Sequence, residues 1–101
     1  MVTIDEAEAL VVAARSSGFP GTLMVSKVWE DQTYIAIAYG AREHLVDEDL
    51  GYLIVGARPD FVSKATGQIA DPPGTEFIGD CMAYLATMTL VRDHVHSAQP
   101  V

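Results

Sequence analysis

The segment from Gly51 to Ile69 constrains the fold of this chain more than any other part of the sequence. An apolar run, Tyr52 to Ala57, is followed by Pro59 and then by a second short run, Phe61 to Ser63. Because proline fixes φ and has no backbone N–H, we expect a break between two strands at Pro59. Gly67 can adopt the positive φ that closes a short hairpin. The segment therefore predicts two strands and two tight turns.

The first third of the chain predicts a helix followed by a β-hairpin. Thr3 and Glu6 have the spacing of a capping box, and a helix is expected to run from there to Gly18. Its apolar face comprises Ile4, Ala7, Val11 and Ala14. Residues Thr22 to Glu30 and Thr33 to Tyr39 are rich in β-branched and aromatic residues, and only a short polar stretch separates them. These two runs are interpreted as paired strands.

The second half of the chain predicts a loop, an irregular break and a helix. Gly40 to Leu50 shows neither helical nor strand periodicity and is interpreted as a loop with room for one helical turn. Asp71 to Gly74 contains two prolines and should be irregular. Asp80 can cap a helix that extends to about Arg92. One side of this helix would comprise Cys81, Tyr84, Leu85, Met88 and Val91, and residues 93–101 are expected to fray.

Together these elements predict an α+β fold with the order αββββα. We expect two helices packed on one face of an antiparallel sheet of about four strands. A chain of 101 residues is expected to form a single domain over residues 1–101, with a core that needs no disulfide.

The charge balance narrows the classes of partner. Fourteen Asp and Glu residues against six Lys and Arg give a net charge of −8 and a pI near 4.5. This charge repels phosphate backbones and anionic lipid, so neither nucleic acid nor a membrane is an expected partner, whereas a basic protein is. Acidity that serves solubility alone is the competing interpretation. The acidic N-terminus, the absence of a long apolar run and the lone Cys81 favour the cytoplasm.

The sequence contains no recognisable catalytic or metal-binding motif. Cys81 and His94 lie too far apart on the predicted helix to form a nucleophile and base, and Cys81 is interpreted as an ordinary buried thiol. His94 and His96 are two ligands without a third, and the acids from Asp47 to Asp49 lack the remaining positions of a calcium loop. We therefore expect no catalytic residue, no metal and no cofactor.

Acidic and aromatic residues are the candidates for a protein-binding surface. The aromatic candidate is Tyr34, which is out of phase with the apolar face of its strand, whereas Trp29 is in phase with Val25 and is assigned to the core. The acidic candidates lie at the hairpin tip and in the following loop: Glu30, Asp31, Glu43, Asp47, Glu48 and Asp49. They are interpreted as groups that steer a basic partner.

Three segments resemble the YrhB-like immunity-protein family of bacterial polymorphic toxin systems. They are the strand Tyr34 to Gly40, the turn Gly56 to Pro59 and the turn Lys64 to Gly67. The resemblance implies a non-catalytic cytoplasmic protein that binds and occludes a cognate toxin. The alternatives are a chaperone-like holdase, an accessory subunit of a larger assembly, and a small enzyme with a pocket that no motif announces. The sequence does not indicate an oligomeric state.

Overall fold

A four-stranded antiparallel sheet with a helix on each face forms the framework of the protein. The computed structural model describes residues 1–52 and 58–95. The elements, in chain order, are helix α1 (Ile4–Arg15), strands β1 (Leu23–Glu30) and β2 (Tyr34–Ala41), helix α2 (Arg42–Leu45), a 3₁₀ turn (Leu50–Tyr52), strand β3 (Asp60–Ser63), helix α3 (Ile78–Leu85) and strand β4 (Thr89–Asp93). The strand order is β3-β2-β1-β4. The predicted α+β class and the four-stranded antiparallel sheet are confirmed.

Helix α1 begins at the predicted capping box. The Thr3 hydroxyl accepts a hydrogen bond from the Glu6 N–H, and the Glu6 carboxylate accepts one from the Thr3 N–H, each at 3.1 Å. These bonds satisfy two of the backbone donors that a helix start leaves unpaired. The buried face of α1 packs on one face of the sheet, in a cluster comprising Ala7, Val11, Val25, Val28, Ile35, Ile37 and Val62.

Helix α3 packs on the opposite face of the sheet, so the prediction that both helices share one face is wrong. Ile35 and Ile37 contact the α1 cluster, whereas Ala36 between them contacts α3. The second cluster comprises Ala36, Phe61, Cys81, Leu85 and Met88. Successive side chains of a strand point to opposite faces, and β2 carries no charged side chain. A strand that is apolar on both faces needs a covering layer on each.

The predicted helix from Asp80 to Arg92 is wrong at both ends. Helix α3 begins after Phe77 without a side-chain cap and ends at Leu85, and Asp80 lies in its first turn. Residues Thr89–Asp93 form β4, which pairs with β1. Because β1 offers a free edge, pairing with it outweighs the helical periodicity of this segment. Asp93 therefore ends a strand, and the predicted frayed tail does not begin there.

A β-bulge between Val25 and Lys27 changes the phase of strand β1. Val25 faces α1, but Trp29 contacts the α3 cluster and is half-buried there. The assignment of Trp29 to the core agrees with this contact, although the face is the opposite of the one that simple alternation predicts. One extra residue in a strand reverses the direction of every side chain that follows it.

Two predicted irregular segments, and the first residue of one predicted strand, can be compared with the structure. The loop predicted from Gly40 to Leu50 was expected to allow one helical turn, and Arg42–Leu45 forms that turn. Residues 71–74 are irregular, as predicted. Of the predicted strand Tyr52 to Ala57, Tyr52 ends the 3₁₀ turn and residues 53–57 lie outside the described residues.

Replacing Gly67 with valine should destabilise the fold. Gly67 has φ +70°, which confirms the predicted turn, and an added Cβ would lie 3.0 Å from Val2 Cγ2. We expect Gly67→Val to lower the free energy of unfolding by about 1–2 kcal/mol, because a β-branched residue strains at positive φ. Gln68→Ala at the exposed neighbouring position is the control. Thermal melts compare the two variants, and equal melting temperatures would contradict this description of the turn.

Candidate functional site

The acidic loop, residues Arg42–Asp49, is anchored to the start of strand β1. Both carboxylate oxygens of Glu43 lie 3.0 Å from the Thr22 N–H, which donates to them. These hydrogen bonds lower the pKa of Glu43. Asp49 accepts a hydrogen bond from the Gly51 N–H at 2.9 Å, and Glu48 adopts a positive φ of 59°. Glu43 and Asp49 thus hold the shape of the loop in addition to carrying charge.

The outer side of the acidic loop combines negative charge with an apolar side chain. Asp47, Glu48 and Asp49 are exposed, and none of them forms an ion pair with any described residue. Leu50 follows them directly and is 75% exposed. Leu50 was not among the predicted site residues, although a leucine directly after three acids was visible in the sequence. Leu50 thus adds one exposed apolar side chain to the charged outer side of the loop.

The hairpin tip between β1 and β2 holds the second group of predicted residues. Asp31 Oδ1 accepts hydrogen bonds from the N–H groups of Thr33 and Tyr34 at 2.8 and 2.7 Å. Asp31 Oδ2 accepts one from the Tyr84 hydroxyl at 2.7 Å. Glu30 forms an ion pair of 3.0 Å with Lys64. Lys64 compensates the charge of Glu30, whereas the donors to Asp31 are neutral and leave its negative charge in place. Among the described residues, the tip therefore has one uncompensated negative charge, against three on Asp47, Glu48 and Asp49.

Tyr34 is half-buried in an aromatic cluster with Phe61 and Tyr84. The centroid of its ring lies 6.2 Å from that of Phe61 and 6.1 Å from that of Tyr84, both in edge-to-face geometry. Such contacts add to the stability of the α3 face. The role of Tyr34 as an anchor for a partner stays a prediction. Because its ring belongs to this cluster, truncating Tyr34 would also destabilise the fold.

The two acidic groups lie at opposite ends of the β1–β2 hairpin. Glu30 pairs with Ile35 next to the tip, whereas Leu23 pairs with Ala41 next to the acidic loop. Strand β1 has eight residues, so the two groups are separated by roughly 25 Å. The structure therefore does not bring the predicted site residues together into one patch.

Replacing Tyr84 with phenylalanine should make the stability less dependent on pH. Burial opposes ionisation of Asp31, but hydrogen bonds from Tyr34, Tyr84 and Thr33 outweigh it and lower the pKa of Asp31. Burial and the Asp31 hydrogen bond raise the pKa of Tyr84 to about 12. At pH 7 we expect Tyr84→Phe to cost about 1 kcal/mol, because the lost hydrogen bond is charge-assisted but only partly buried.

The sign of this pH dependence follows from the two pKa shifts. A lowered pKa of Asp31 contributes stability above its unfolded value of about 3.9, and that contribution is lost as the pH falls through the lower folded value. A raised pKa of Tyr84 contributes stability below about pH 10, and it is lost as the pH rises towards 12. Urea denaturation across pH 2–11 should show the difference between wild type and Tyr84→Phe shrinking at both extremes, while Tyr52→Phe, which removes an exposed hydroxyl, stays near wild type. A constant difference would contradict the assignment.

A shallow groove lies between helix α1 and the start of strand β1. It has a volume of about 280 Å³ and is lined by Glu8, Val12, Met24, Val25 and His94. Glu8 Oε2 lies 2.6 Å from Arg92 Nη1 and 3.1 Å from His94 Nε2. Asp5 also contacts Arg92 Nη1, at 2.7 Å. Arg92 donates hydrogen bonds to the carboxylates of Asp5 and Glu8, and these bonds raise the pKa of Arg92.

The groove holds titratable groups but lacks a side-chain nucleophile. No Ser, Thr or Cys is among the described residues that line it. Cys81 is buried in the cluster on the other face of the sheet, away from His94, which agrees with its interpretation as an ordinary buried thiol. Among the described residues, no three His, Cys, Asp or Glu side chains are placed to hold a metal ion, and His96 lies outside them.

Helix α3 exposes an apolar patch on its outer side. Phe77 is 76% exposed, and Ile78 and Met82, which are one turn apart, are about half exposed. Two exposed acids, Glu76 and Asp80, flank these side chains in the sequence. The predicted helix began at Asp80, so Phe77 and Ile78 were not recognised as parts of a helix surface.

Comparisons of the chain with protein-family models, with curated proteins and with solved structures found no match. The resemblance to immunity proteins therefore stays a prediction from the sequence. Among the residues that the structure describes, no helix has the length and the apolar character needed to cross a bilayer.

Proposed function

We propose that this chain is a non-catalytic protein-binding domain that acts in the cytoplasm by occluding a basic partner protein. The observation that carries this proposal is the outer side of the acidic loop, where Asp47, Glu48 and Asp49 lie beside the exposed Leu50. Carboxylates steer a cationic partner, and an exposed leucine gives the complex an apolar contact once the partner has arrived.

The distribution of ion pairs supports the choice of a basic partner. Four of the six Lys and Arg residues are paired with acids of the same chain: Arg15, Arg58, Lys64 and Arg92. The excess negative charge is therefore left on acids without such a partner, and three of these are consecutive in the acidic loop. A field of this kind raises the association rate of a positively charged protein.

The resemblance to immunity proteins makes a cognate toxin the specific form of this proposal. A toxin domain that acts on phosphate-containing substrates is often basic, and covering its active site would suffice to inhibit it. Inhibition by occlusion requires a complementary surface and no catalytic group on this chain.

The test is capture of the partner followed by an assay of neutralisation. The tagged chain is used to isolate binding proteins from its native host, and each candidate is then expressed alone and together with the chain. We expect a partner of positive net charge that arrests growth when alone and loses this effect in a stable complex with the chain. A partner without toxicity would contradict the immunity function, and an acidic partner would contradict the proposed electrostatic recognition.

The apolar patch of helix α3 favours a second candidate, a chaperone-like holdase. Phe77, Ile78 and Met82 could contact exposed apolar segments of an unfolded client. A holdase should suppress aggregation of an unrelated heated protein, and the double variant Phe77→Ser, Met82→Ser should lose that effect. A domain specific for one folded partner should not suppress such aggregation.

A further inference from the structure

The groove between α1 and β1 exists because strand β4 covers only part of strand β1. Strand β4 pairs with Lys27 to Glu30 of β1, and within the described residues no strand pairs with Leu23 to Ser26 on that side. Val12 of α1, with Met24 and Val25 of β1, gives this space an apolar lining. His94, which follows directly after β4, also lines the groove.

Glu8 places a partly buried carboxylate in this apolar groove. Its side chain is only 17% exposed. Its contacts with Arg92 and with His94, within the described part of the chain, both use Oε2. Oε1 therefore has no described partner, although a carboxylate oxygen can accept two hydrogen bonds. A carboxylate oxygen that has no protein partner and lies beside apolar side chains can accept a charge-assisted hydrogen bond from a cationic ligand.

The charge around the groove selects a cationic ligand. The carboxylates of Asp5 and Glu8 carry two negative charges, and Arg92 supplies one positive charge between them. The charges of these three side chains therefore sum to one negative charge. The carboxylate of Glu8 would repel an anion. A purely apolar ligand would displace water from Oε1 without donating a hydrogen bond to it.

We propose that this groove binds a single lysine or arginine side chain. The aliphatic part of such a side chain would lie along Val12, Met24 and Val25, and its cationic head would donate to Glu8 Oε1. Lysine and arginine are suited to this arrangement, since both combine an apolar stem with a charged donor. This inference rests on the proposed function for the source of the side chain. A basic residue of the partner protein would supply the side chain and would anchor the partner to the α1 side of the sheet.

The first experiment tests the groove without any partner. The ¹⁵N-labelled chain is titrated with Nα-acetyl-arginine methylamide or Nα-acetyl-lysine methylamide, followed by amide shifts in NMR spectra. We expect saturable shifts at Met24, Val25 and His94 in the millimolar range, as a single side chain would give. Nα-acetyl-norleucine methylamide has the apolar stem without the charge and should bind at least about fivefold more weakly.

Two matched variants assign the effect to Glu8. Glu8→Gln keeps the shape and an oxygen that Arg92 can contact, and we expect it to abolish the shifts caused by the arginine and lysine compounds. Glu76→Gln makes the same change at an exposed position outside the groove and should leave them unchanged. Circular dichroism confirms that both variants are folded. The proposal is overturned if neither compound shifts these amides, if Glu8→Gln binds equally well, or if the norleucine compound binds as tightly.

A second experiment separates this inference from the proposed function. Once a basic partner has been isolated, Glu8→Gln should weaken the complex about tenfold, mainly through faster dissociation. If Glu8→Gln binds the partner as wild type does, the groove is not an anchor and the proposed function stands. If no basic partner is found but the arginine compound binds through Glu8, the proposed function fails and the cation-binding groove stands.

Discussion

Replacing Phe61 with alanine is expected to lower the free energy of unfolding by about 3–5 kcal/mol, which is the range for truncating a fully buried aromatic side chain. Phe61 is 0% exposed and belongs to the buried cluster on the α3 face of the sheet. Its ring makes edge-to-face contacts with Tyr34 and Tyr84, at centroid distances of 6.2 and 5.8 Å. Its removal would leave a cavity between the sheet and helix α3, because strand pairing fixes the position of β3.

Phe77 provides a control with the same substitution in a contrasting environment. Since Phe77 is largely exposed, Phe77→Ala should change the free energy of unfolding by less than about 0.5 kcal/mol. Urea denaturation of the two variants and wild type measures the difference. For a domain of this size the Phe61 substitution removes a large fraction of a total stability of about 5–15 kcal/mol. A loss below about 1 kcal/mol for Phe61→Ala would show that helix α3 does not pack on this residue as described.

Local sequence signals predicted the elements whose stability is itself local. The capping box at Thr3 and Glu6 determines the start of α1, and the bonds that form it connect residues only three positions apart. The polar turn before Thr33 separates the two strands of a hairpin, and Gly67 has the positive φ that its turn requires. In each case the residues that decide the structure are neighbours in the chain.

Contacts between distant parts of the chain decided the elements that the sequence did not predict. Residues Thr89–Asp93 continue a helical pattern of apolar residues, yet they pair with a strand that lies about sixty positions earlier in the chain. The gain from completing the sheet is invisible to periodicity. The placement of α3 on the second face could have been predicted from the sequence. Strand β2, from Tyr34 to Ala41, has no charged residue on either face, and such a strand needs a covering layer on both.

The candidate site was predictable only in part, for the same reason. Charge and order in the sequence predicted the acids of the acidic loop, and Asp47, Glu48 and Asp49 are exposed as expected, whereas Glu43 is half-buried. They did not predict that Asp31 binds Tyr84 or that Glu30 binds Lys64, because both contacts require the folded sheet. The groove at Glu8 was not predicted, since Arg92 and His94 reach it from more than eighty residues away.

Reversing the charge of the acidic loop is expected to slow association with the basic partner by about tenfold at low salt, which is within the range of electrostatic steering. The variant replaces Asp47, Glu48 and Asp49 with lysine, so three negative charges become three positive ones. The effect should shrink as salt is added, because the Debye length is about 10 Å at 0.1 M ionic strength. Dissociation should change less, since steering acts mainly on the approach of the two proteins. Surface plasmon resonance at two salt concentrations measures both rates.

Two double variants distinguish a local effect of the loop from an effect of net charge. Asp47→Lys, Glu48→Lys leaves Asp49, whose carboxylate accepts the Gly51 N–H and holds the turn. Glu76→Lys, Asp80→Lys makes the same change in net charge at the N-terminal end of helix α3. If the loop is the docking surface, the first variant should slow association several-fold more than the second, because the potential near a charge decays within a Debye length. Equal slowing would assign the effect to net charge alone. An association rate and salt dependence unchanged by the triple reversal would show that the acidic loop is only a solvated surface, and the docking surface would then be sought at the apolar patch of α3.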